Sequence, residues 1–194
     1  MLTKDENKML AKITHKAFGS QPNASVVEYL NNDETLKVPI LICPDHPQQN
    51  FTAYATIGLS DYSMRQGNRE FPTRLEIISI GNTKIKWLPG ALSTAAFYIM
   101  KEKWLCHPGA TLVDILNGYA IDSDLEHLYF TSPFLWETDL KTIELATKQV
   151  AWLLAIPITN REYEYRKQYG NEKFEELMEK NNASVFDLTR KSII

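Results

Sequence analysis

The sequence has few of the features that mark nucleic-acid-binding, membrane-spanning or secreted proteins. Lysine and arginine total 21 against 24 acidic residues, giving a net charge of −3, whereas nucleic-acid-binding domains are normally basic. The longest apolar run, residues 150–158, is too short to span a bilayer and contains Pro157. The first residues lack the apolar core of a signal peptide. We therefore expect a cytoplasmic protein that binds neither nucleic acid nor a membrane.

Cysteine is scarce as well. The two cysteines, Cys43 and Cys106, agree with a reducing compartment, although the sequence leaves a disulfide between them open. Together with His46 and His107 they offer the ligand types of a zinc site, but their spacing does not match the standard zinc pairs. The competing interpretation of Cys43, at the end of an apolar strand, is a small buried hydrophobe. We expect no metal and no other cofactor.

Motifs for catalysis are equally few. The eight glycines are dispersed and form no phosphate-binding loop. A serine follows a predicted strand within Gly58–Tyr62, but Tyr62 occupies the second glycine position of a nucleophile elbow. We predict that the protein is not an enzyme. Two pairs remain as candidates for a small hydrolase or metal enzyme, namely Ser60 with Asp61 and Cys43 with His46.

What the sequence does have is an apolar periodicity that predicts helices and strands. Helical spacing predicts an N-terminal helix over residues 4–18 and a second helix from about Ala91 to just before Cys106. Apolar and alternating segments predict strands at residues 25–30, 38–43, 51–57, 73–80, 126–131 and 150–157. No repeat or linker divides the chain. We predict one domain over residues 1–194, with its core at about 25–182, and an α+β fold whose mixed, mostly antiparallel sheet is flanked by helices.

The sharpest local pattern joins the last predicted strand to a helix. Residues 150–159 are almost all apolar, and a charged segment follows at once. Thr159 and Glu162 have the spacing of a capping box, in which each side chain satisfies a free backbone N–H at a helix start. Gly170 suits the left-handed turn that ends a helix, and Asn171 is predicted to cap the last helix.

An acidic segment with interleaved aromatic residues lies between Asp122 and Glu144. Acidic side chains steer a basic partner towards a protein and aromatic side chains anchor it, so this segment is a predicted partner-binding surface. The alternative is a core strand with a solvated charged flank. The residues of the predicted surface are Asp122, Asp124, Glu126, Phe134, Trp136, Glu137 and Asp139. The glutamates of the last helix, Glu172, Glu175, Glu176 and Glu179, are instead predicted to form a solvated face.

Three segments resemble the suppressor of fused-like domain family. They are the strand and turn Tyr54–Tyr62, the strand Arg74–Ile78 and the junction Leu154–Glu162, which contains the Pro-Ile-Thr-x-x-Glu motif. The resemblance extends over roughly residues 25–182 and implies a mixed-sheet fold. The family offers no catalytic residues to carry over to this chain.

The resemblance also implies a function. Single-domain bacterial members of the family are similar to immunity proteins, or antitoxins, that neutralise a cognate secreted toxin. The resemblance places the chain with partners of toxins that carry an LXG export domain and a nuclease domain, although a different toxin activity stays open. Because animal relatives are regulatory binding proteins, a scaffold for an endogenous partner is the alternative. The sequence leaves the toxin, the stoichiometry and the oligomeric state open.

Overall fold

The structure is a computed structural model that describes residues 2–119, 121–181, 184 and 186–194, with side chains described from Lys4 onward. Its helices are α1 (Leu2–Ala17), α2 (Leu88–Glu102), α3 (Asn160–Tyr169) and α4 (Asn171–Lys180). The strands are β1 (Ser25–Leu30), β2 (Lys37–Pro44), β3 (Phe51–Thr56), β4 (Arg65–Gln66), β5 (Arg69–Glu70), β6 (Thr73–Asn82), β7 (Thr111–Leu112), β8 (Leu125–Thr131), β9 (Ile143–Glu144) and β10 (Gln149–Thr159). Two short 3-10 helices lie at Leu59–Asp61 and Phe134–Trp136.

One mixed sheet organises these elements. Its strand order is β1-β2-β3-β6-β10-β8-β7, and β9 also pairs with β10, while β4 and β5 form a separate small hairpin. Only the pairing of β6 with β10 is parallel among the strand pairs of the described residues. Helices lie on both sides of the sheet. The predicted α+β fold with a mixed, mostly antiparallel sheet flanked by helices is confirmed.

The central strands bury both of their faces because their side chains alternate between two apolar cores. In β6, Leu75 and Ile77 belong to the core beneath α2, whereas Ile78 and Ile80 belong to the opposite core. This opposite core also contains apolar side chains of α1, of α4 and of residues 136–145. A strand that is apolar on both faces is typical of the middle of a covered sheet. The prediction that residues 73–80 form such a strand is therefore confirmed.

The junction at the end of β10 forms as predicted. Glu162 N donates to Thr159 Oγ1 at 3.3 Å, and Thr159 N donates to Glu162 Oε2 at 2.9 Å, which completes the capping box. Strand β10 therefore continues into α3 without a loop. Gly170 adopts a φ of 90° and ends α3, since a positive φ is accessible to glycine at little cost.

Two predicted helix starts are wrong. Helix α2 begins at Leu88 rather than Ala91, and Pro89 lies in its first turn, where the missing N–H of proline costs no hydrogen bond. Asn171 does not cap α4, because α4 begins immediately after Gly170 and Asn171 is already its first helical residue. Its side-chain Oδ1 instead accepts a hydrogen bond from Arg166 Nη1 at 3.2 Å.

Candidate functional site

The structure gives the serine of the first enzymatic candidate a structural role. Ser60 is fully buried, and its Oγ accepts a hydrogen bond from Lys148 Nζ at 3.0 Å. Lys148 also forms an ion pair with Asp61, so its ammonium group acts as a donor to both partners. The backbone N–H of Ser60 donates to the buried carboxylate of Glu76 at 3.2 Å. The Ser60 hydroxyl is therefore a buried acceptor for the ammonium group of Lys148, which is itself paired with Asp61.

The second enzymatic candidate, Cys43 with His46, lacks a reactive thiol. Cys43 is fully buried at the end of β2, and burial raises the pKa of its thiol to about 11. A nucleophilic cysteine needs the opposite shift, towards the thiolate. His46 Nε2 accepts a hydrogen bond from Trp136 Nε1 at 2.9 Å, and burial lowers the pKa of the imidazole. The half-buried imidazole is therefore engaged with Trp136 at the edge of the core.

The zinc ligands considered from the sequence do not meet. Cys43 belongs to the core under α1 and α4, whereas Cys106 belongs to the core under α2, so the sheet separates the two thiols. In the described part of the chain, ligand atoms of Asp114, Glu126 and His127 do lie within 4.8 Å of one another. His127 Nδ1, however, already accepts the backbone N–H of Asp114 at 2.9 Å, and Nε2 faces Asn160 Oδ1 at 3.3 Å. The ring thus has no free lone pair for a metal.

Trp136 does not lie on a docking surface, and this part of the predicted surface is corrected. Its side chain is only 4% exposed, and its ring packs on Phe18 with a centroid separation of 4.9 Å. Its indole Nε1–H also donates a hydrogen bond to His46 Nε2. A buried indole normally needs a partner for its N–H, and His46 supplies it. Trp136 therefore anchors the short 3-10 helix to the core.

The two residues before Trp136 point outward from the same turn. Phe134 is 50% exposed and Leu135 is 38% exposed. The turn is closed by two backbone hydrogen bonds, from Phe134 N to Ser132 O and from Trp136 N to Pro133 O, both at 2.8 Å. Because Trp136 fixes the inward side of the turn, the opposite side presents Phe134 and Leu135 to solvent. Phe134 is thus exposed to solvent, and its contact with a partner stays a prediction.

The structure separates the acidic residues of the predicted surface into two groups. Asp122 and Asp124 are exposed and lie just before β8. Glu137 and Asp139 are also exposed, but they lie after β8 and after the 3-10 helix that follows it. The seven residues of β8 extend over about 20 Å at roughly 3.3 Å per residue. Glu126 is half-buried and lies beside Asp114 and His127. The predicted residues therefore belong to two regions of the chain rather than to one continuous stripe.

A groove of about 660 Å³ lies between α4 and residues 131–135, and we call it the α4 groove. Its charged lining residues among those described are Glu175 and Glu179. Its apolar lining is formed chiefly by Tyr129, Phe134, Leu135, Ile156, Met178 and Phe186. The groove thus combines an apolar floor and wall with carboxylates on one side.

Glu175 is tied into the wall of the α4 groove by two hydrogen bonds. Its Oε1 accepts from Tyr129 Oη at 2.8 Å and from Thr131 Oγ1 at 2.7 Å. Burial and the neighbouring Glu175 carboxylate together raise the pKa of Tyr129, so the phenol remains a hydrogen-bond donor. These bonds fix the position of the Glu175 carboxylate. A charge held in place in this way loses less side-chain entropy when a partner binds.

The sequence interpretation missed Glu175 and Glu179 as part of this site. Their spacing on α4 follows that of Phe174 and Met178, which are buried, so each glutamate lies one position beyond a core residue. The i, i+4 spacing places both glutamates on the same side of the helix. Nothing in the sequence, however, indicates that β8 supplies Tyr129 and Thr131 as donors.

Among the helices of the described residues, none is long and apolar enough to cross a membrane.

Comparisons with known proteins agree on one family. The family model of the suppressor of fused protein (SUFU) matches residues 34–191. A protein of Bacillus subtilis (strain 168) named immunity protein YqcF is 33% identical to this chain over 189 residues. That alignment covers 97% of this chain and 97% of the relative.

Solved structures with the same fold are more distant in sequence. A SUFU homologue from Neisseria gonorrhoeae FA 1090 has a TM-score of 0.72 at 15% identity, and the match covers 98% of both chains. A chain of the Sufu-Fu complex has a TM-score of 0.67 at 13% identity, covering 96% of this chain and 91% of the other. At these identities the likeness concerns the fold alone.

Proposed function

This chain belongs to the suppressor of fused family, and on that premise we propose that it is an immunity protein that neutralises a cognate bacterial toxin by binding it. One observation carries the proposal. The relative named as an immunity protein aligns over nearly the whole of both chains, so the shared sequence is not confined to one segment. The proposed immunity or antitoxin role is therefore supported by similarity along nearly the whole chain.

The mode of action that we propose is binding without catalysis. The buried Ser60, the buried Cys43 and the separated cysteines leave the enzymatic candidates without a competent site. Exposed Phe134 and the acidic residues Glu137 and Asp139 instead offer a surface that another protein can cover. Asp122, Asp124 and Glu126 stay in the proposal as a second group that contributes to electrostatic steering.

We further propose that the toxin is a secreted protein with an LXG export domain and a nuclease domain. A nuclease holds phosphate in a basic groove, so an acidic inhibitor surface would associate with it quickly. The net charge of −3 is small for a protein that imitates DNA. The inhibitor would therefore bind beside the nuclease active site. Since such a toxin acts inside the cell, the immunity protein would meet it in the cytoplasm.

A second candidate function is a regulatory scaffold for an endogenous protein partner. The observation that favours it is the edge strand β1, whose Val26, Val27 and Leu30 are 56%, 42% and 52% exposed. An exposed apolar edge strand can pair with an extended segment of another chain. Pull-down of a housekeeping partner from cells that lack any toxin gene would favour this candidate.

Growth rescue tests the proposed function. A candidate toxin domain, sought in the reading frame adjacent to this gene, is expressed from an inducible promoter with and without the chain. We expect growth arrest from the toxin domain alone and normal growth when the chain is present. A matched control expresses an unrelated protein of similar size from the same promoter. Growth arrest in spite of abundant, folded chain would contradict the immunity function.

A further inference from the structure

We propose that the α4 groove is the docking site for a toxin segment that carries a lysine or arginine beside a bulky apolar side chain. This inference rests on the proposed immunity function and adds the place and the chemistry of recognition. It differs from the surface predicted from the sequence, because the carboxylates that it uses are Glu175 and Glu179. Three observations support it, namely the exposed apolar pair, the one-sided charge of the lining and the fixed carboxylate.

The exposed apolar pair is the first observation. Phe134 and Leu135 are neighbours, both line the groove, and both remain substantially exposed. Trp136 and the backbone hydrogen bonds of the turn hold them in this position. Adjacent bulky apolar side chains on a groove of about 660 Å³ form the kind of surface that a protein partner covers. The partner segment should therefore contribute at least one bulky apolar side chain.

The charge of the lining is the second observation. Glu175 and Glu179 are acidic, and none of the described lining residues is basic. Arg166 is close enough to influence the pKa of Tyr129, but it does not line the groove and donates to Gly109 O and Asn171 Oδ1. Opposite charge across an interface favours the correct partner and penalises an acidic one. A partner segment with a lysine or arginine matches this lining.

The fixed carboxylate of Glu175 is the third observation. Its Oε1 already accepts from Tyr129 and Thr131, and no donor within the described structure bonds to Oε2. Oε2 is therefore the atom left to accept from an ammonium or guanidinium group. Charge-assisted hydrogen bonds of this kind are shorter and stronger than bonds between neutral groups.

Binding of purified variants to the purified toxin domain tests the inference. Glu179→Lys reverses one charge of the groove, and Glu176→Lys makes the same change in net charge on an exposed residue of α4 that does not line it. We expect Glu179→Lys to weaken binding about tenfold or more and Glu176→Lys to change it less than about threefold. Phe134→Ala should also weaken binding about tenfold, compared with Tyr98→Ala, a similarly exposed aromatic residue on α2.

The outcomes separate this inference from the proposed function. If the wild-type chain binds and protects while the groove variants bind equally well, the groove is not the docking site and the immunity function stands. If the wild-type chain and all variants fail to bind the toxin domain, both are wrong. Sedimentation of the chain alone supplies the remaining test. A wild-type homodimer that Phe134→Ala converts to a monomer, with toxin binding intact, would mean that a second copy covers the groove.

Discussion

Arg190 forms a buried ion pair with Glu162, and this pair attaches the C-terminal segment to the first turn of α3. The two side chains are 8% and 0% exposed. Arg190 Nη2 donates to Glu162 Oε2 at 2.9 Å and to Pro157 O at 3.1 Å, and the backbone N–H of Ile193 donates to Glu162 Oε1 at 3.1 Å. The glutamate that completes the capping box therefore also fastens the end of the chain.

Removal of Arg190 should destabilise the fold strongly. Arg190→Ala leaves the Glu162 carboxylate buried without its countercharge, and breaking a buried pair in this way costs about 3–5 kcal/mol. Arg161→Ala is the matched control, because Arg161 is exposed at the start of α3, and it should cost less than about 0.5 kcal/mol. Urea unfolding followed by circular dichroism measures both changes. Equal unfolding free energies for the two variants would contradict the role given to Glu162 and Arg190.

Truncation of Trp136 and truncation of Phe134, at the two ends of the same 3-10 helix, should affect stability to different extents. Trp136→Ala removes a buried ring and the hydrogen bond to His46, and we expect the unfolding free energy to fall by about 3 kcal/mol. Phe134→Ala should change it by less than about 0.5 kcal/mol, since Phe134 is half exposed. Thermal unfolding of both variants checks the contrast. A stable Trp136→Ala variant would restore Trp136 as a candidate for direct contact with the partner.

The contribution of His46 to the unfolding free energy should decrease on mild acidification. Burial lowers the pKa of His46 in the folded state below its usual value of 6.5. Between the folded and unfolded pKa values the unfolded chain binds more protons, so the unfolding free energy falls as the pH falls through this range. Protonation also removes the Nε2 lone pair that accepts from Trp136. The stabilising contribution of His46 is fully present at pH values above the pKa that this histidine has in the unfolded chain.

A pair of histidine variants isolates this contribution. The unfolding free energy is measured from about pH 7.5 to about pH 5, which spans the usual titration range of histidine. His46→Gln should flatten the pH dependence, whereas His107→Gln should leave it unchanged, because His107 is exposed and contacts only the neighbouring Pro108 carbonyl among the hydrogen bonds of the described residues. The same slope in wild type and His46→Gln would mean that other groups cause the acid sensitivity.

Ser60 and Cys43 should be dispensable for protection. Ser60→Ala removes an acceptor of Lys148 and should cost about 1 kcal/mol of stability, without loss of growth rescue. Cys43→Ala should likewise leave growth rescue intact, because its buried thiol contributes packing alone. Growth in the presence of the toxin domain is the measurement, with soluble protein levels as the control. Loss of rescue by a well-folded Ser60→Ala variant would favour a catalytic role.

The sequence predicts those parts of the molecule that depend on neighbouring residues in the chain. The capping box of Thr159 and Glu162 was predictable because both hydrogen bonds close within four residues. The covered strand at residues 73–80 was predictable because both of its faces carry apolar side chains, Leu75 and Ile77 on one and Ile78 and Ile80 on the other. In both cases the local pattern and the tertiary environment favour the same structure.

The site could be predicted only in part, because long-range contacts decide which side chains are exposed. The apolar run of Phe134, Leu135 and Trp136 gives no indication which residue faces inward. His46, which lies 90 residues earlier, decides this by accepting the Trp136 N–H. Glu175 resembles any solvated helix residue until Tyr129, 46 residues earlier, is seen to donate to it. Charge and aromatic content therefore assigned the exposed Phe134 and the buried Trp136 to the same predicted surface, because the sequence does not distinguish them.

Titration of the purified toxin domain with the purified chain tests the central claim most directly. The activity of a fixed amount of toxin domain is measured as the chain is added in increasing amounts. A binding inhibitor should abolish the activity at a fixed molar ratio, and release from the complex by denaturation and refolding should restore active toxin. Inactivation of many toxin molecules by one molecule of the chain, or an undiminished activity at molar excess, would contradict the account.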